Sequence, residues 1–186
     1  MRLQRQLAIL FQTIFLVSVL LGCSKNNLSA KTTEFLTYED KNNHFSINYP
    51  SDWSVDTSQK DVSVMFDAPK ESDQDIYTEN ISVTAFSLPV EATSPMENYK
   101  NGIIETVKKQ SPGIEILNTS SLTINNQPAL KIEYKGKRDN IELAYQMTYV
   151  FKGKMGYVMV FASVNGDFDK YSSTVDKIIN SFKVTN

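Results

Sequence analysis

Few side chains in this sequence could do chemistry, and those few are scattered. Cys23 is the only cysteine and His44 the only histidine of 186 residues. A single thiol excludes an intrachain disulfide and a cysteine-ligated metal cluster. A single histidine leaves His44 as the sole imidazole for a catalytic triad or general base, and its place between Asn43 and Phe45 in a turn-like stretch reads as a surface position. Asp73, Asp75 and Glu79 form an acidic stretch, but Tyr77 occupies the third ligand position of a calcium loop and its glycine is missing, so it reads as a solvated loop. No phosphate-cradling glycine loop, nucleophile elbow or zinc-helix motif occurs. The residue pattern therefore assigns no catalytic residue, no metal ligand and no cofactor.

Cys23 has a different use. Arg2 and Arg5 precede an uncharged run from Gln6 to Ser24, apolar from Leu7 to Leu21 except at Gln12, Thr13 and Ser18, and this run ends in Leu20-Leu21-Gly22-Cys23. A basic start, a short apolar stretch and a small residue before the cut make an export signal. The last four residues resemble a bacterial lipobox, which implies lipid attachment to the Cys23 thiol and cleavage between Gly22 and Cys23. The expected organisation is a signal peptide over 1–22, a lipidated cysteine and tether over 23–34, and one domain over 35–186. The expected location is the extracytoplasmic side of a cell membrane, held by the lipid. From Ser24 to Glu34 the chain is polar and aperiodic, with a reach of roughly 20 Å as a random coil.

Removing residues 1–22 takes away two arginines and no acid, so 19 basic residues become 17 against 21 acidic ones, a net charge of −4. That balance opposes a general nucleic-acid binder, which carries a basic excess. A domain of this length buries about 70% of its unfolded surface without a covalent staple.

The elements that must carry any site are mostly strands. Phe35 to Tyr38 and Phe45 to Tyr49 flank Asp40-Lys41-Asn42-Asn43 as a hairpin, and Pro50-Ser51-Asp52-Trp53 ends the second strand with Trp53 folding back as a core anchor. Val62 to Asp67 and Asn80 to Leu88 are further strands. Ser94-Pro95-Met96-Glu97 is a capping box opening a helix with the stripe Met96, Tyr99, Ile103 and Val107, which Ser111-Pro112-Gly113 ends. Ile114 to Leu117 and Ser121 to Ile124 read as two short strands, and Asn125 to Pro128 as a turn. Leu130, Ile132 and Tyr134, and then Ile141 through Phe151, alternate with polar residues, which predicts antiparallel strands with one wetter face, at Glu142, Ala144, Gln146 and Thr148. Tyr157 to Val164 is apolar on both faces and should be central. A last helix, capped by Asp167 or Asp169, carries Tyr171, Val175, Ile178 and Phe182. Lys135, Lys137 and Arg138 gather at one turn, Lys152 and Lys154 at another, at opposite ends of one strand. The order predicts an α+β domain, one antiparallel sheet flanked by helices.

Phe45-Ser46-Ile47-Asn48-Tyr49-Pro50-Ser51-Asp52-Trp53, the strand from Ile81 to Leu88, the turn before Ala129 to Tyr134, the paired strands from Tyr145 to Phe161, and the ending Ile178-Ile179-Asn180-Ser181-Phe182 resemble PsbP-like proteins over about residues 36–183. The resemblance implies an α-β-α sandwich of the Mog1/PsbP-like fold, shared with DcrB-like lipoproteins. It further implies a non-catalytic role, since the photosynthetic members are extrinsic subunits that dock on a membrane complex and support its ion cofactors. It places no metal ligand or docking residue on this sequence. Anchor and resemblance together lead to the expectation of a non-enzymatic accessory module for a membrane or envelope complex, with a protein partner at the membrane. The alternative is a lipoprotein binding a small ligand or a calcium or zinc ion, and a hydrolase stands third.

Overall fold

Asp40 closes the first hairpin. Its carboxylate accepts hydrogen bonds from the backbone N–H groups of Asn42 (3.0 Å) and Asn43 (2.9 Å) and from the Asn43 side-chain amide (2.7 Å), so the turn is held by one acidic side chain. This hairpin joins β1 (Phe35–Asp40) to β2 (Phe45–Pro50) in the computed structural model, which describes residues 34–88 and 96–185. The expected signal peptide over 1–22, Cys23 and nearly all of the expected tether lie outside the described residues.

The remaining elements follow as β3 (Ser54–Asp56), β4 (Val64–Asp67), β5 (Asn80–Ser87), α1 (Glu97–Gln110), β6 (Glu115–Ile124), β7 (Gln127–Arg138), β8 (Ile141–Lys152), β9 (Met155–Val164), α2 (Phe168–Ser181) and β10 (Lys183–Val184). The domain is α+β and antiparallel, as expected. It holds two sheets where one was expected: β1-β2-β10, and a larger β3-β4-β5-β9-β8-β7-β6. β9, apolar on both faces, sits in the middle of the seven strands.

Two apolar clusters lie on opposite faces of the large sheet, as adjacent residues of β7 show: Ala129 belongs to one and Leu130 to the other. The first joins β2, α2 and the inward residues Tyr157, Met159 and Phe161 of β9. The second joins Leu130, Ile132 and Tyr134 to Met96 and Val107, the two ends of the α1 stripe. The sequence motifs 45–53 and 178–182 meet in the first cluster. Phe182 packs on Phe45 and Tyr157 at ring distances of 5.6 and 5.2 Å, Tyr49 stacks on Phe66 at 4.7 Å, and Trp53 meets Tyr171 edge-on at 6.2 Å. Ser181 Oγ accepts the Asn48 N–H at 2.8 Å, tying the end of α2 to β2. These motifs are the closures that seat the small sheet and α2 on the large one.

Several local readings change. The segments 114–117 and 121–124 are one strand, β6, whose register slips between Ile116 and Asn118; Leu117 is the extra residue and stands exposed. The turn after it is only Asn125-Asn126, both at positive φ, with Gln127 and Pro128 already paired in β7. Ser94 and Pro95 of the capping box lie outside the described residues. Asp167 occupies the N-cap of α2 without a side-chain cap bond.

The wetter face of β8 is inverted. Ala144, Gln146, Thr148 and Val150 are buried, whereas Tyr145, Met147, Tyr149 and Phe151 are half-buried. The cause is coverage. On the first face α2 and the small sheet act together, but the second is met by α1, one helix of 14 residues. A helix is about 10 to 12 Å wide with its side chains, whereas seven strands at about 4.8 Å spacing make a sheet about 29 Å wide.

Candidate functional site

The incomplete cover of the α1 face leaves a groove of about 400 Å³ between that helix and the sheet. Phe86, Leu88, Tyr149 and Phe151 form its floor; Tyr99, Gly102, Ile103 and Thr106 of α1 form its wall. The four helical residues fall at i, i+3, i+4 and i+7, so they share one face.

The floor depends on a missing side chain. Phe86, Gly156 and Phe151 stand opposite one another on β5, β9 and β8. A Cβ on Gly156 would run into the Phe86 ring, so glycine lets that ring lie across the central strand. Phe86 then meets Phe151 edge-on at 6.3 Å, and Tyr99 meets Phe151 edge-on at 5.3 Å. Gly102 opens the wall, because a Cβ built there meets nothing within 4 Å. Thr106 Oγ1 donates to the Gly102 carbonyl at 2.8 Å, turning its hydroxyl into the helix and away from hydration. Among the described residues, none that lines the groove is charged. Burial raises the pKa of the Tyr149 phenol, so it stays a neutral O–H. Such a surface can bind apolar matter by area and shape; its described lining holds no carboxylate, imidazole, amine or thiol.

The residues singled out in the sequence lie elsewhere. Gly22 and Cys23 are outside the described residues. His44 is exposed in the β1–β2 turn at φ +56°, where its backbone carbonyl accepts from Thr185 N at 2.9 Å. The acidic stretch is divided among separate tasks. Glu71 holds Lys170 and Tyr171 of α2, and Asp75 accepts from the backbone N–H groups of Glu71 (3.2 Å) and Tyr77 (3.1 Å). Glu79 is no part of a solvated loop: it is 3% exposed and accepts from Ser163 Oγ and Val164 N, each at 3.4 Å. Among the described residues, no three His, Cys, Asp or Glu side chains are grouped as metal ligands. The two basic turns stand at opposite ends of β8, as expected, with Arg138 paired to Ile141 and Lys152 to Met155.

The groove was not read from the sequence, although one signal was present. Gly102 sits inside a helix, where glycine costs about 1 kcal/mol relative to alanine, and no turn or cap requires it there.

The fold recurs in solved structures. The chain is similar to cyanobacterial PsbP (CyanoP) from Synechocystis sp. PCC 6803, with 21% identity, a TM-score of 0.61, and coverage of 82% of this chain and 93% of that one. LpqN of Mycobacterium tuberculosis, described as involved in cell envelope biogenesis, matches at 9% identity and a TM-score of 0.61, over 85% of this chain and 94% of its own. The Ran-binding protein Mog1p of Saccharomyces cerevisiae matches at 10% identity and a TM-score of 0.57, over 83% and 97%. At these identities the likeness concerns the fold. No curated protein matches the chain by sequence. The model of the PsbP-like protein family matches residues 23–184, and the chain therefore belongs to the PsbP-like family.

Proposed function

We propose that this protein is a non-enzymatic accessory module, held on the extracytoplasmic side of a membrane by a lipid on Cys23, which binds an apolar segment of a membrane-protein partner in the groove beside α1. The groove carries this reading: an open, aromatic-floored surface whose described lining bears no charge and whose helical wall has been thinned at Gly102. Family membership supports it, and so does the likeness to CyanoP and to an envelope-biogenesis protein.

Gly102→Leu separates binding from folding. Leucine replaces the poorer helix former, so the helix gains roughly 0.5–1 kcal/mol, while its side chain occupies the groove. Crosslinking intact membranes and recovering the protein should return a partner that is depleted both in Cys23→Ala and in Gly102→Leu, with the latter at least as stable as the wild type. Capture no greater than in Cys23→Ala, or capture unchanged by Gly102→Leu, would overturn the reading.

A further inference from the structure

At the other end of α1, a second cavity of about 350 Å³ opens where the helix meets the close of the β7–β8 hairpin. Gln110 and Ser111 lie on one side, Tyr134, Tyr145, Lys137 and Arg138 on the other. Gly136 makes the close approach. A Cβ there would stand 3.1 Å from Ile114 Cγ2 and 4.0 Å from the Tyr145 ring, so glycine keeps the space between them open.

The polar groups of this cavity have little to do within the protein. Tyr134 is only 4% exposed and stacks on Tyr145 at 4.7 Å, yet neither hydroxyl is taken up by a hydrogen bond among the described residues. Neither hydroxyl is sealed off, since Thr148 Oγ1 is the buried side-chain atom without a partner among them. Lys137 pairs with Glu142 at 3.4 Å, on the surface. Arg138 has no ion pair or hydrogen bond among the described residues, and no carboxylate lines the cavity. Two phenolic donors and a guanidinium fork thus converge on a space near the lower limit of ligand pockets, which run from about 300 Å³ upward. Burial raises the pKa of both phenols, and Arg138 offsets part of that rise at Tyr145, so each stays an O–H donor at neutral pH.

We propose that this cavity binds a small organic monocarboxylate carrying a neutral hydroxyl. Arg138 receives the carboxylate, because its planar fork matches that group. Tyr134 and Tyr145 add O–H donors, and Ile114 and Pro112 take the apolar body. The hydroxyl suits the remaining wall, where α1 ends. The Val107 carbonyl is taken by Ser111 N–H, and the carbonyls after it have no intrahelical partner, so they accept a hydrogen bond from the hydroxyl and, at the negative end of the helix dipole, disfavour a dianion. This site is separate from the partner groove, and neither depends on the other.

The test is titration of the full mature chain in detergent micelles with 4-hydroxybenzoate, followed by amide NMR, with inorganic phosphate as a second arm. Saturable shifts confined to residues 110–114 and 134–138 are expected with 4-hydroxybenzoate at millimolar concentration, and none with phosphate. Arg138→Ala should weaken binding about tenfold or more, the loss of a charge-assisted bidentate pair, whereas Lys137→Ala should change it only slightly. Unsaturable or scattered shifts, equal binding by a folded Arg138→Ala variant, or equal response to phosphate would overturn the assignment.

Discussion

Two buried polar side chains test how closely this fold tolerates unmet demands. Thr148 is fully buried on β8, and its hydroxyl has no partner among the described residues. Leaving such a group unsatisfied costs about 1–3 kcal/mol, so Thr148→Val, which keeps the shape and the strand preference, should stabilise the domain by about 1 kcal/mol. A lower denaturation midpoint for that variant would show that the hydroxyl is bonded after all. Glu79 raises a question of pH. Burial chiefly, with Asp75 and Asp167 adding repulsion, outweighs the hydrogen bonds from the backbone of Glu79 itself and of Val164 and lifts its carboxyl above the ordinary glutamate value of 4.5. The folded state therefore keeps this proton while the unfolded chain releases it. Its contribution to stability is complete below about pH 4.5 and is lost as pH rises through the folded value. Glu79→Gln removes the titration, so denaturation of the two proteins across pH 4 to 8 should show the wild type losing stability relative to the variant as pH rises. A difference constant with pH would mean that the carboxyl titrates as if exposed.

Among the elements, the β6–β7 turn does more than reverse the chain. Asn125 donates from its side-chain amide to the Asn180 carbonyl at 3.1 Å and to the Phe182 carbonyl at 2.6 Å, so a hairpin tip latches the end of α2. Asn125→Ala removes both bonds and places alanine at φ +45°, and it should cost about 2–3 kcal/mol. Hydrogen exchange should then show the last turn of α2 opening first; exchange spread evenly over the domain would sink the latch. Such a latch cannot be read locally, since Asn125 is legible as a turn residue while its partners lie 55 and 57 positions away. The same limit explains the other differences between expectation and fold. β3 and β10, of three and two residues, are too short for periodicity. The β8 alternation is plain, but which of its faces lies deeper is decided by what covers the sheet. The long strands other than the bulged β6, and both helices, are legible because each carries its own pattern; the groove is not, because it arises where one helix is too narrow for the sheet beneath it.

At the scale of the whole molecule, the proposed anchor and the proposed groove make demands on each other. Glu34, where the described chain begins, binds Ser51 N–H through its carbonyl at 2.8 Å, beside the turn that leads from Pro50 through Trp53 to Ser54. Ser54 stands in the cross-strand row Asp67, Asn80, Ala162, Tyr145, whereas the groove floor lies in the row Phe86, Gly156, Phe151. From Tyr145 to Phe151, β8 advances about 20 Å. With a tether reach of roughly 20 Å, the groove can present itself to a segment near the bilayer surface or stand well above it, according to tether length. On this proposal reach is what residues 24–33 supply, and their particular side chains are incidental. Exchanging residues 24–33 for a glycine-serine linker of equal length should leave partner crosslinking unchanged, whereas deleting 25–32 should reduce it severalfold with lipidation and fold intact. Loss on the equal-length exchange would instead make the tether a recognition element, and full capture after the deletion would place the partner's segment against the anchored end of the domain, away from the groove.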